Sequence, residues 1–377
     1  MKYTSTPISD FVRSKSGNSS LIKGRLASMP TRNLYPAYSA SGQDVWHTDY
    51  SHEGEAIIVS AVGARCGKTF IASGKWSAIA NTHVIFPDRD KVDVYYLNLI
   101  LDNEHFWIRG GSAQPFVLVK RTLKKKIPLP PLDVQRKVAK ILRTWDEAIE
   151  TAEAELKAKQ ERKRWLMQSV LSGSLRLKGC NKPWDKKRLD QVGMIVPGGT
   201  PSTSIPEYWN GDVPWATPTE ITKLKSPYIY NTEALITSEG VRNSSAALLP
   251  ADSLIVCTRA TVGVCAINKV PMTTNQGFKS VVPASTDDTL FLYYVLNSMQ
   301  STFNRLAQGS TFLEISKTQF EKITIIWPSA DERRLIASLM RTCDEQIESI
   351  GEAIEVLRTQ KRGLMQKLLT GEVRVAA

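Results

Sequence analysis

The segment Gly63–Thr69 comes closest, in residue types and spacing, to a chemical motif. It reads Gly-Ala-Arg-Cys-Gly-Lys-Thr after an apolar run, as the phosphate-binding loop of a nucleotide-binding enzyme does. That loop needs four residues between its glycines and opens a long helix, whereas three residues separate Gly63 from Gly67. Ser73-Gly74-Lys75 then interrupts the chain, which predicts a hairpin. A nucleotide-binding enzyme using Lys68 therefore stays a less favoured alternative.

Other catalytic patterns are missing from the sequence. It has no His-Glu-x-x-His or Gly-x-Ser-x-Gly segment, and no Asn-Pro-Pro-aromatic segment of an amino-methyltransferase. The 5 cysteines form no Cys-x-x-Cys pair, which suits a reducing cytoplasm and argues against zinc or a disulfide framework. We therefore interpret the chain as a binding protein with no catalytic residue, metal or cofactor of its own.

The charge of the chain points to an anionic partner. The 377 residues carry a formal net charge of +12, which favours nucleic acid over a membrane surface. No apolar run approaches the roughly 20 residues of a spanning helix, and the polar start lacks a signal peptide. Basic residues gather at Lys120-Arg121, Lys124–Lys126 and between Lys178 and Arg188. Such cations would add sequence-independent affinity for DNA.

One long segment occurs twice in the sequence. Its two copies must position the parts of the chain that carry the residues described above. Asp146-Glu147-Ala148-Ile149-Glu150 returns as Asp344-Glu345-Gln346-Ile347-Glu348, an offset of 344 − 146 = 198 residues that holds without a gap from 127–177 to 325–375. A tandem repeat fixes the architecture as globule, helix, globule, helix. The predicted segments are a first globule (1–126), a first helical spacer (127–177), a second globule (178–324) and a second helical spacer (325–377).

Each repeated segment predicts a long helix with a narrow apolar stripe. Apolar residues recur at seven-residue steps in two interleaved rows, the a/d pattern of a coiled coil. The predicted helix-pairing residues are Leu142, Trp145, Ile149, Leu156, Met340, Ile347, Ile350, Ile354 and Leu357. We expect an antiparallel coiled coil on the order of 60 Å long with a pseudo-twofold axis. The alternatives are packing of each helix on its own globule, or pairing between two chains.

The ends of the helices also carry sequence signals. Ser329 and Glu332 predict a capping box at the start of the second helix. Gly173 and Gly371 predict the left-handed residue that ends each helix. Gly351 and Gly363 predict close approach of the first helix, around Trp165.

The two globules share a pattern of elements. Ala56–Val59 and Ser253–Val256 predict short buried strands, each followed by a polar loop with glycine and a second strand. Tyr95-Tyr96 and Tyr293-Tyr294, also 198 residues apart, lie in short amphipathic helices. The predicted fold class is therefore α+β, with two tandem strand-rich domains. Their loops differ strongly, which favours two different recognition surfaces.

These features together resemble the specificity subunit of type I restriction–modification enzymes, over essentially the whole length. The marks are the proline-led helical segments at Ile127 and Ile325, and their Gly173 and Gly371 endings. Further segments typical of the family are Gly198-Gly199-Thr200-Pro201-Ser202, Pro206–Trp209, Val213-Pro214-Trp215 and Thr274–Phe278 in the second globule, and Tyr35–Gly42 in the first. The first globule lacks the Gly-Gly-Thr-Pro run.

The resemblance implies a non-catalytic subunit with two target-recognition domains. Each would read one half of a split, asymmetric double-stranded DNA site, and the paired helices would act as a ruler and dock methyltransferase subunits. Those partners would supply S-adenosylmethionine-dependent adenine methylation, and a restriction subunit would add ATP- and Mg²⁺-dependent cleavage. Base readout needs polar or cationic loop side chains. Our candidates are Ser39, Ser41, Arg65, Lys68, Thr200, Ser202, Thr217, Thr258, Arg259, Thr261 and Thr311.

Two other protein classes remain open at this point. A freestanding DNA-binding or architectural protein would have no methyltransferase partner, so co-purification of a methyltransferase would exclude it. A purely structural coiled-coil scaffold would not need two elaborate globules with different loops.

Overall fold

The computed structural model describes residues 3–307 and 314–375, and the chain forms two compact units. Unit 1 comprises Met1–Glu153 and Ala353–Ala377, and unit 2 comprises Ala154–Glu352. Each unit therefore combines one globule with the first part of the helix that follows it and the last part of the other long helix. The two units thus divide both long helices rather than separating at a linker.

Unit 1 is built from short strands and two short helices before the first long helix. Its elements are β1 (Ser5–Pro7), β2 (Val12–Ser16), β3 (Tyr35–Ser39), β4 (Gly42–His47), β5 (His52–Glu53), β6 (Ala56–Ser60), β7 (Thr69–Ala72), β8 (Lys75–Ala78), β9 (Thr82–Pro87), α1 (Val94–Leu101), β10 (Arg109–Gly110), β11 (Phe116–Val117), α2 (Val119–Thr122), β12 (Lys126–Pro128) and the first part of α3 (Leu132–Ser172). One sheet has the order β2-β9-β6-β7 and a second the order β4-β3-β8-β5.

Unit 2 repeats this plan. Its elements are the last part of α3 and β13 (Asp185–Arg188), α4 (Leu189–Val192), β14 (Gly193–Pro197), β15 (Trp209–Ala216), α5 (Pro218–Lys223), β16 (Tyr228–Ile229), β17 (Leu235–Ile236), α6 (Ser238–Arg242), β18 (Leu254–Val256), β19 (Cys265–Asn268), β20 (Thr273–Thr274), β21 (Lys279–Pro283), α7 (Thr289–Ser298), α8 (Gln300–Leu306), α9 (Lys317–Glu321), β22 (Thr324–Trp327) and the first part of α10 (Ala330–Thr370). The sheets have the orders β14-β21-β18-β19-β16 and β17-β15-β20.

The sheet β2-β9-β6-β7 of unit 1 and the first four strands of the sheet β14-β21-β18-β19-β16 of unit 2 have the same strand order. The central pairs fix the register, with Ile57 opposite Ile85 in unit 1 and Leu254 opposite Val281 in unit 2. All four side chains are fully buried, because both faces of each central strand are covered. The predicted fold class, two tandem strand-rich domains each followed by a long helix, is confirmed.

The loop Gly63–Thr69 lies in a hairpin, as its sequence predicts. β6 and β7 pair antiparallel, with Val59 opposite Thr69, so no long helix follows the loop. The ammonium group of Lys68 lies 2.6 Å from the carboxylate of Asp102. The arrangement is therefore not that of a phosphate-binding loop, whose phosphates sit at a helix N-terminus.

The two long helices run antiparallel in each unit. In unit 1, Asp146 of α3 forms an ion pair with Lys361 of α10, and Glu153 of α3 forms one with Arg358 of α10. Residue numbers increase along α3 as they decrease along α10, so the helices are antiparallel. In unit 2, Lys163 of α3 pairs with Asp344 of α10. The two ion pairs correspond under the 198-residue offset, since Asp146 is the equivalent of Asp344 and Lys163 is the equivalent of Lys361.

The predicted stripe is the buried side of this pairing. Leu142, Ile149, Met340 and Ile354 are buried, and Trp145, Leu156, Ile347, Ile350 and Leu357 are partly buried. The globules also cover part of the stripe. In unit 1 Leu142 belongs to one apolar cluster with Leu368 of α10 and Tyr96 of α1.

The aspartate of each of these two ion pairs, Asp146 and Asp344, also accepts a hydrogen bond from a tyrosine hydroxyl. The Tyr95 hydroxyl donates to Asp146 in unit 1, and the Tyr294 hydroxyl donates to Asp344 at 2.7 Å in unit 2. Burial first, and the adjacent aspartate second, raise the pKa of both tyrosines well above the usual value, so the phenols stay neutral donors. The equivalent tyrosines are therefore 199 residues apart, not 198 as the paired Tyr-Tyr segments suggest.

Three predictions about helix ends and glycines have different outcomes. Gly173 and Gly371 follow the two helices directly with φ of 77° and 75°, so the left-handed endings are confirmed. The capping box is wrong: both carboxylate oxygens of Glu332 accept hydrogen bonds from Arg176, and one of them also from Trp184.

The prediction of close helix approach at two glycines is also wrong. A Cβ atom added to Gly351 or Gly363 would meet no atom within 4 Å beyond the helix's own backbone. Trp165, the expected neighbour, is 58% exposed. Among the described residues, no helix is long and apolar enough to cross a membrane.

Candidate nucleic-acid interface

In unit 2, the segment Thr274–Phe278 gathers candidate residues from three other parts of the chain. Its carbonyls accept hydrogen bonds from the backbone of Gly198 at 3.0 Å, of Gly199 at 2.8 Å and of Thr258 at 2.8 Å. Its Asn275 N–H donates to the carbonyl of Ala216 at 3.0 Å. These bonds place the residues after β14, β15 and β18 at one edge of the unit.

This edge depends on a glycine at a close backbone approach. A Cβ atom on Gly198 would lie 1.9 Å from the carbonyl oxygen of Asn275, so any other residue would push the segments apart. In unit 1 a Cβ atom on Gly17 would lie 2.1 Å from the carbonyl oxygen of Ile79. Gly17 therefore occupies the place of Gly198, although the first globule lacks the Gly-Gly-Thr-Pro run.

The threonines at this edge already have partners within unit 2. The Thr200 hydroxyl donates to the Gln276 side chain. The Thr217 hydroxyl donates to Glu220 at 2.8 Å in a capping box that begins α5. These two hydroxyls would have to exchange their partners to donate a hydrogen bond to a base, although each can still accept one.

Thr258 and Ser202 are placed differently. Thr258 is fully buried, and its hydroxyl donates to the carbonyl of Gly277 at 3.2 Å, so it cannot reach a base edge in this conformation. The hydroxyls of Ser202 and Ser204 lie 2.8 Å apart on the surface. Thr311 lies outside the described residues, and Phe278 is a fully buried core residue.

Arg259 lies in the loop between β18 and β19 and faces an acidic residue. Its Nε is 3.9 Å from the carboxylate of Glu314, which also accepts a hydrogen bond from the ammonium group of Lys279 at 2.8 Å. Ala260 has a φ of 62°, a left-handed conformation that turns the loop sharply. Thr261 is exposed on the same loop.

Two residues of this site were missed by sequence reasoning. Glu314 lies 35 positions from Lys279 and Gln276 lies 76 positions from Thr200, so no local pattern connects them. Gln276 could have been found, since it belongs to the Thr274–Phe278 segment typical of the family. Glu314 has no comparable signal.

Unit 1 places its candidates at the matching edge. Ser39 is the last residue of β3, and Thr217 directly follows β15. In both units that strand pairs in parallel with a neighbouring strand of its sheet, β8 in unit 1 and β20 in unit 2. Ser39 is buried and accepts a hydrogen bond from the Ser41 N–H at 3.0 Å, whereas Ser41 itself is exposed. Arg65 and Lys68 are exposed on the β6–β7 loop beside a cavity of about 340 Å³.

The described candidate side chains at these edges form hydrogen bonds and ion pairs. Burial raises the pKa of the Cys257 thiol to about 12, so this thiol behind the Arg259 loop is not a thiolate nucleophile. Within the part of the chain that the structure describes, no group of three or more His, Cys, Asp or Glu could hold a metal ion.

The fold and site define a protein with two globules of one fold, differing loops and, within each unit, a pair of antiparallel helix segments. Residues 35–160 and 181–358 match the family model described as the type I restriction modification DNA specificity domain. The chain belongs to this family.

Two curated relatives show the extent of the sequence likeness. The chain is 35% identical to the type I restriction enzyme MjaIX specificity subunit of Methanocaldococcus jannaschii, over 47% of this chain and 41% of that protein. It is 28% identical to the type I restriction enzyme EcoR124I/EcoR124II specificity subunit of Escherichia coli, over 67% of this chain and 61% of that protein. Each match thus spans less than two thirds of the relative.

A solved structure shares the fold over nearly the whole length. The S subunit of the type I restriction–modification system from M. genitalium superposes with a TM-score of 0.65 at 13% identity, covering 98% of this chain and 96% of that chain.

Proposed function

We propose that the chain is the DNA-recognition subunit of a type I restriction–modification complex. Each globule reads one half of a split, asymmetric site in double-stranded DNA. The observation that carries this proposal is the difference between matched loops on one fold. The β6–β7 loop presents Arg65 and Lys68, whereas the β18–β19 loop presents Arg259 and Thr261. Two globules built for the same bases would not need different polar groups there.

The chain contributes binding, and its partners contribute the chemistry. Methyltransferase subunits dock on the paired helices and use S-adenosylmethionine, and a restriction subunit uses ATP and Mg²⁺. Family membership supports these partners. The hydrogen-bonding character of the loop edges supports a non-catalytic role for this chain in the cytoplasm.

The test is to co-express the chain with a methyltransferase subunit of the same system and to map methylated adenines across a genome. The expected result is one split motif with two dissimilar halves and a fixed gap, absent when the methyltransferase is expressed alone. Failure of the two proteins to co-purify would instead support a freestanding DNA-binding protein. A bound, active methyltransferase without any motif would contradict recognition by this chain.

A further inference from the structure

Phe116 is an exposed aromatic residue beside the candidate recognition loop of unit 1. It pairs in an isolated antiparallel bridge with Val62, which lies near the start of the β6–β7 loop. Phe116 is 39% exposed, whereas Val62 packs against the core of unit 1. The ring is distinct from the candidate base contacts Arg65 and Lys68 on the same loop.

This bridge has a counterpart in unit 2. Arg259 and Glu314 form an isolated antiparallel bridge of the same kind near the start of the β18–β19 loop. Glu314 follows Phe116 by 314 − 116 = 198 residues, which is the offset of the repeat. Phe116 therefore takes the place of Glu314, and Val62 takes the place of Arg259.

The backbone hydrogen bonds beside the two bridges match as well. In unit 1 the Val117 N–H donates to the carbonyl of Ala61 at 2.9 Å. In unit 2 the Ile315 N–H donates to the carbonyl of Thr258 at 2.9 Å. Ala61 and Thr258 each directly precede the first residue of their bridge. The hydrogen bonds and the bridges therefore give the same correspondence between the units.

The bridge of unit 1 lies at the edge that corresponds to the candidate interface of unit 2. The Ala61 N–H donates to the carbonyl of Asn81, between β8 and β9, at 2.9 Å. The Thr258 N–H donates to the carbonyl of Gly277, between β20 and β21, at 2.8 Å. Gly277 belongs to the segment that gathers the candidate residues of unit 2. Phe116 is therefore beside the equivalent edge of unit 1.

The chemistry at this shared place differs between the units. In unit 2 the carboxylate of Glu314 lies 2.8 Å from the ammonium group of Lys279 and 3.9 Å from Nε of Arg259. In unit 1 both bridge residues, Val62 and Phe116, are apolar. Since the same fold accepts a charged residue here, packing alone does not require an aromatic ring.

The ring of Phe116 lies over the backbone of two glycines in the β10–β11 hairpin. A Cβ atom on Gly110 would be 2.9 Å from Cζ of the ring, and one on Gly111 would be 3.1 Å from its Cδ1. The hairpin is bonded to the recognition loop, because the guanidinium group of Arg109 donates to the carbonyl of Cys66 at 2.9 Å. The structure therefore fixes an exposed apolar surface beside this loop.

We propose that Phe116 contacts the 5-methyl group of a thymine in the half-site that unit 1 reads. Thymine presents an apolar group in the major groove, and phenylalanine is among the side chains that pack against it. Because the ring lies along its own hairpin, it fits a surface contact better than insertion between base pairs. The proposal rests on DNA recognition by this chain and adds a specificity-determining residue to unit 1.

The test uses duplexes in which single thymines of the mapped target are replaced by deoxyuridine, which removes only the 5-methyl group. The complex of the chain with the methyltransferase is titrated with each duplex, covering both halves and both strands. Wild type should bind at least one of these duplexes about fourfold more weakly, the loss expected for one buried methyl group. Phe116→Ala should weaken binding of the unsubstituted target by a similar factor and abolish the effect of deoxyuridine at that position alone.

Two further variants serve as controls. Val373→Ala shortens another apolar side chain of unit 1, 41% exposed and beyond the end of α10, and should keep the wild-type sensitivity. Arg259→Ala assigns the halves, because the thymine read by Phe116 should lie in the half that this variant does not relax. Phe116→Leu keeps an apolar side chain and should retain part of the sensitivity, which also tests the contact if the alanine variant does not fold.

Several outcomes would overturn the proposal. A wild-type complex that prefers the target yet binds every deoxyuridine duplex equally well would do so without any variant. So would a Phe116→Ala complex that keeps the sensitivity, or one that loses affinity for the target and an unrelated duplex alike. Loss of the methyltransferase from the folded Phe116→Ala chain would make the ring a protein contact instead. Failure of DNA recognition itself would appear separately, as a wild type with no preference for the target.

Discussion

At the scale of single residues, the acidic group beside Arg259 is the most informative. Glu314 holds Lys279 at 2.8 Å and lies 3.9 Å from Arg259, so one carboxylate faces two cations. We propose that Glu314 orients this arginine before DNA binds, so that less side-chain entropy is lost on binding. An arginine oriented in this way can form a bidentate contact with guanine.

Arg259→Ala should relax specificity in only one half of the DNA site. Removing a bidentate base contact costs about 1–3 kcal/mol of discrimination at that base pair. The measurement is the methylation rate on targets that carry each single substitution in each half. Arg188→Ala, in the β13 strand and paired with Asp190, is the matched control and should keep the wild-type pattern. A uniform loss over all sequences would make Arg259 a phosphate contact instead.

The sequence identifies the loops but not the orientation of each side chain in them. Thr258 and Arg259 are neighbours, yet the hydroxyl of Thr258 turns inward to Gly277 and Arg259 turns toward Glu314. Which of two adjacent polar residues is buried depends on the segments packed against the loop. Those segments come from distant positions, so a local pattern could not decide between them.

At the scale of elements, a Tyr-Asp-Lys cluster ties each globule to both helices within its unit. In unit 1, Asp146 of α3 accepts from Tyr95 of α1 and pairs with Lys361 of α10. One side chain thus joins three elements, and its removal should weaken all of them. The cluster recurs in unit 2 with Tyr294, Asp344 and Lys163, so it belongs to the repeated plan.

A double-mutant cycle on Asp146→Asn and Lys361→Met should give a coupling energy of about 1 kcal/mol or more. Asp146 and Lys361 are 35% and 18% exposed, so water screens their pairing less than that of an exposed pair. The cycle on Glu153 and Arg358, which are 44% and 47% exposed in the same helix pair, is the control. Denaturant unfolding measures both. Equal coupling energies in the two cycles would contradict a special role for Asp146.

Gly351→Ala and Gly363→Ala should each stabilise the protein by about 1 kcal/mol. Both lie in the interior of α10, where glycine costs helix propensity, and the added methyl group meets open space. Chemical denaturation measures the change. Gly198→Ala serves as the opposite control, because its methyl group would collide with the Asn275 carbonyl. A loss of stability on changing Gly351 or Gly363 would show that these positions are covered.

Periodicity predicted the long helices well because their burial pattern repeats in sequence. The seven-residue spacing of apolar residues such as Leu142 and Ile149 shows which face of the helix is buried. The capping box failed for a different reason. Glu332 has a suitable spacing from Ser329, but Arg176, 156 positions away, takes both of its carboxylate oxygens. A long-range ion pair of this kind leaves no trace in the local sequence.

At the scale of the whole molecule, each unit is completed by the helix of the other repeat. Leu368, near the end of α10, packs with Tyr96 and Leu99 of the first globule. Val170, near the end of α3, belongs to the core of unit 2 with Leu292 and Tyr294. Leu368 and Val170 are 198 positions apart, so the repeat itself supplies a pair of matched sites.

Leu368→Ala should loosen unit 1, although residue 368 follows the second globule in sequence. The lost packing costs about 2–5 kcal/mol, and hydrogen exchange should rise in α1 and not in α7. Val170→Ala is the reciprocal control and should raise exchange in α7 and not in α1. The opposite assignment, or equal effects in both helices, would contradict the division into these units.

This division has a consequence for the order of events on the ribosome. Unit 1 uses residues up to Glu153 and then needs Ala353 onward, a delay of 353 − 153 = 200 residues. At about 5–20 residues per second, the apolar stripe around Leu142 waits on the order of 10–40 s for its partner. During that time the first globule lacks the last part of α10, which completes unit 1. A segment that is synthesised after the whole second globule therefore completes the unit that contains the first globule.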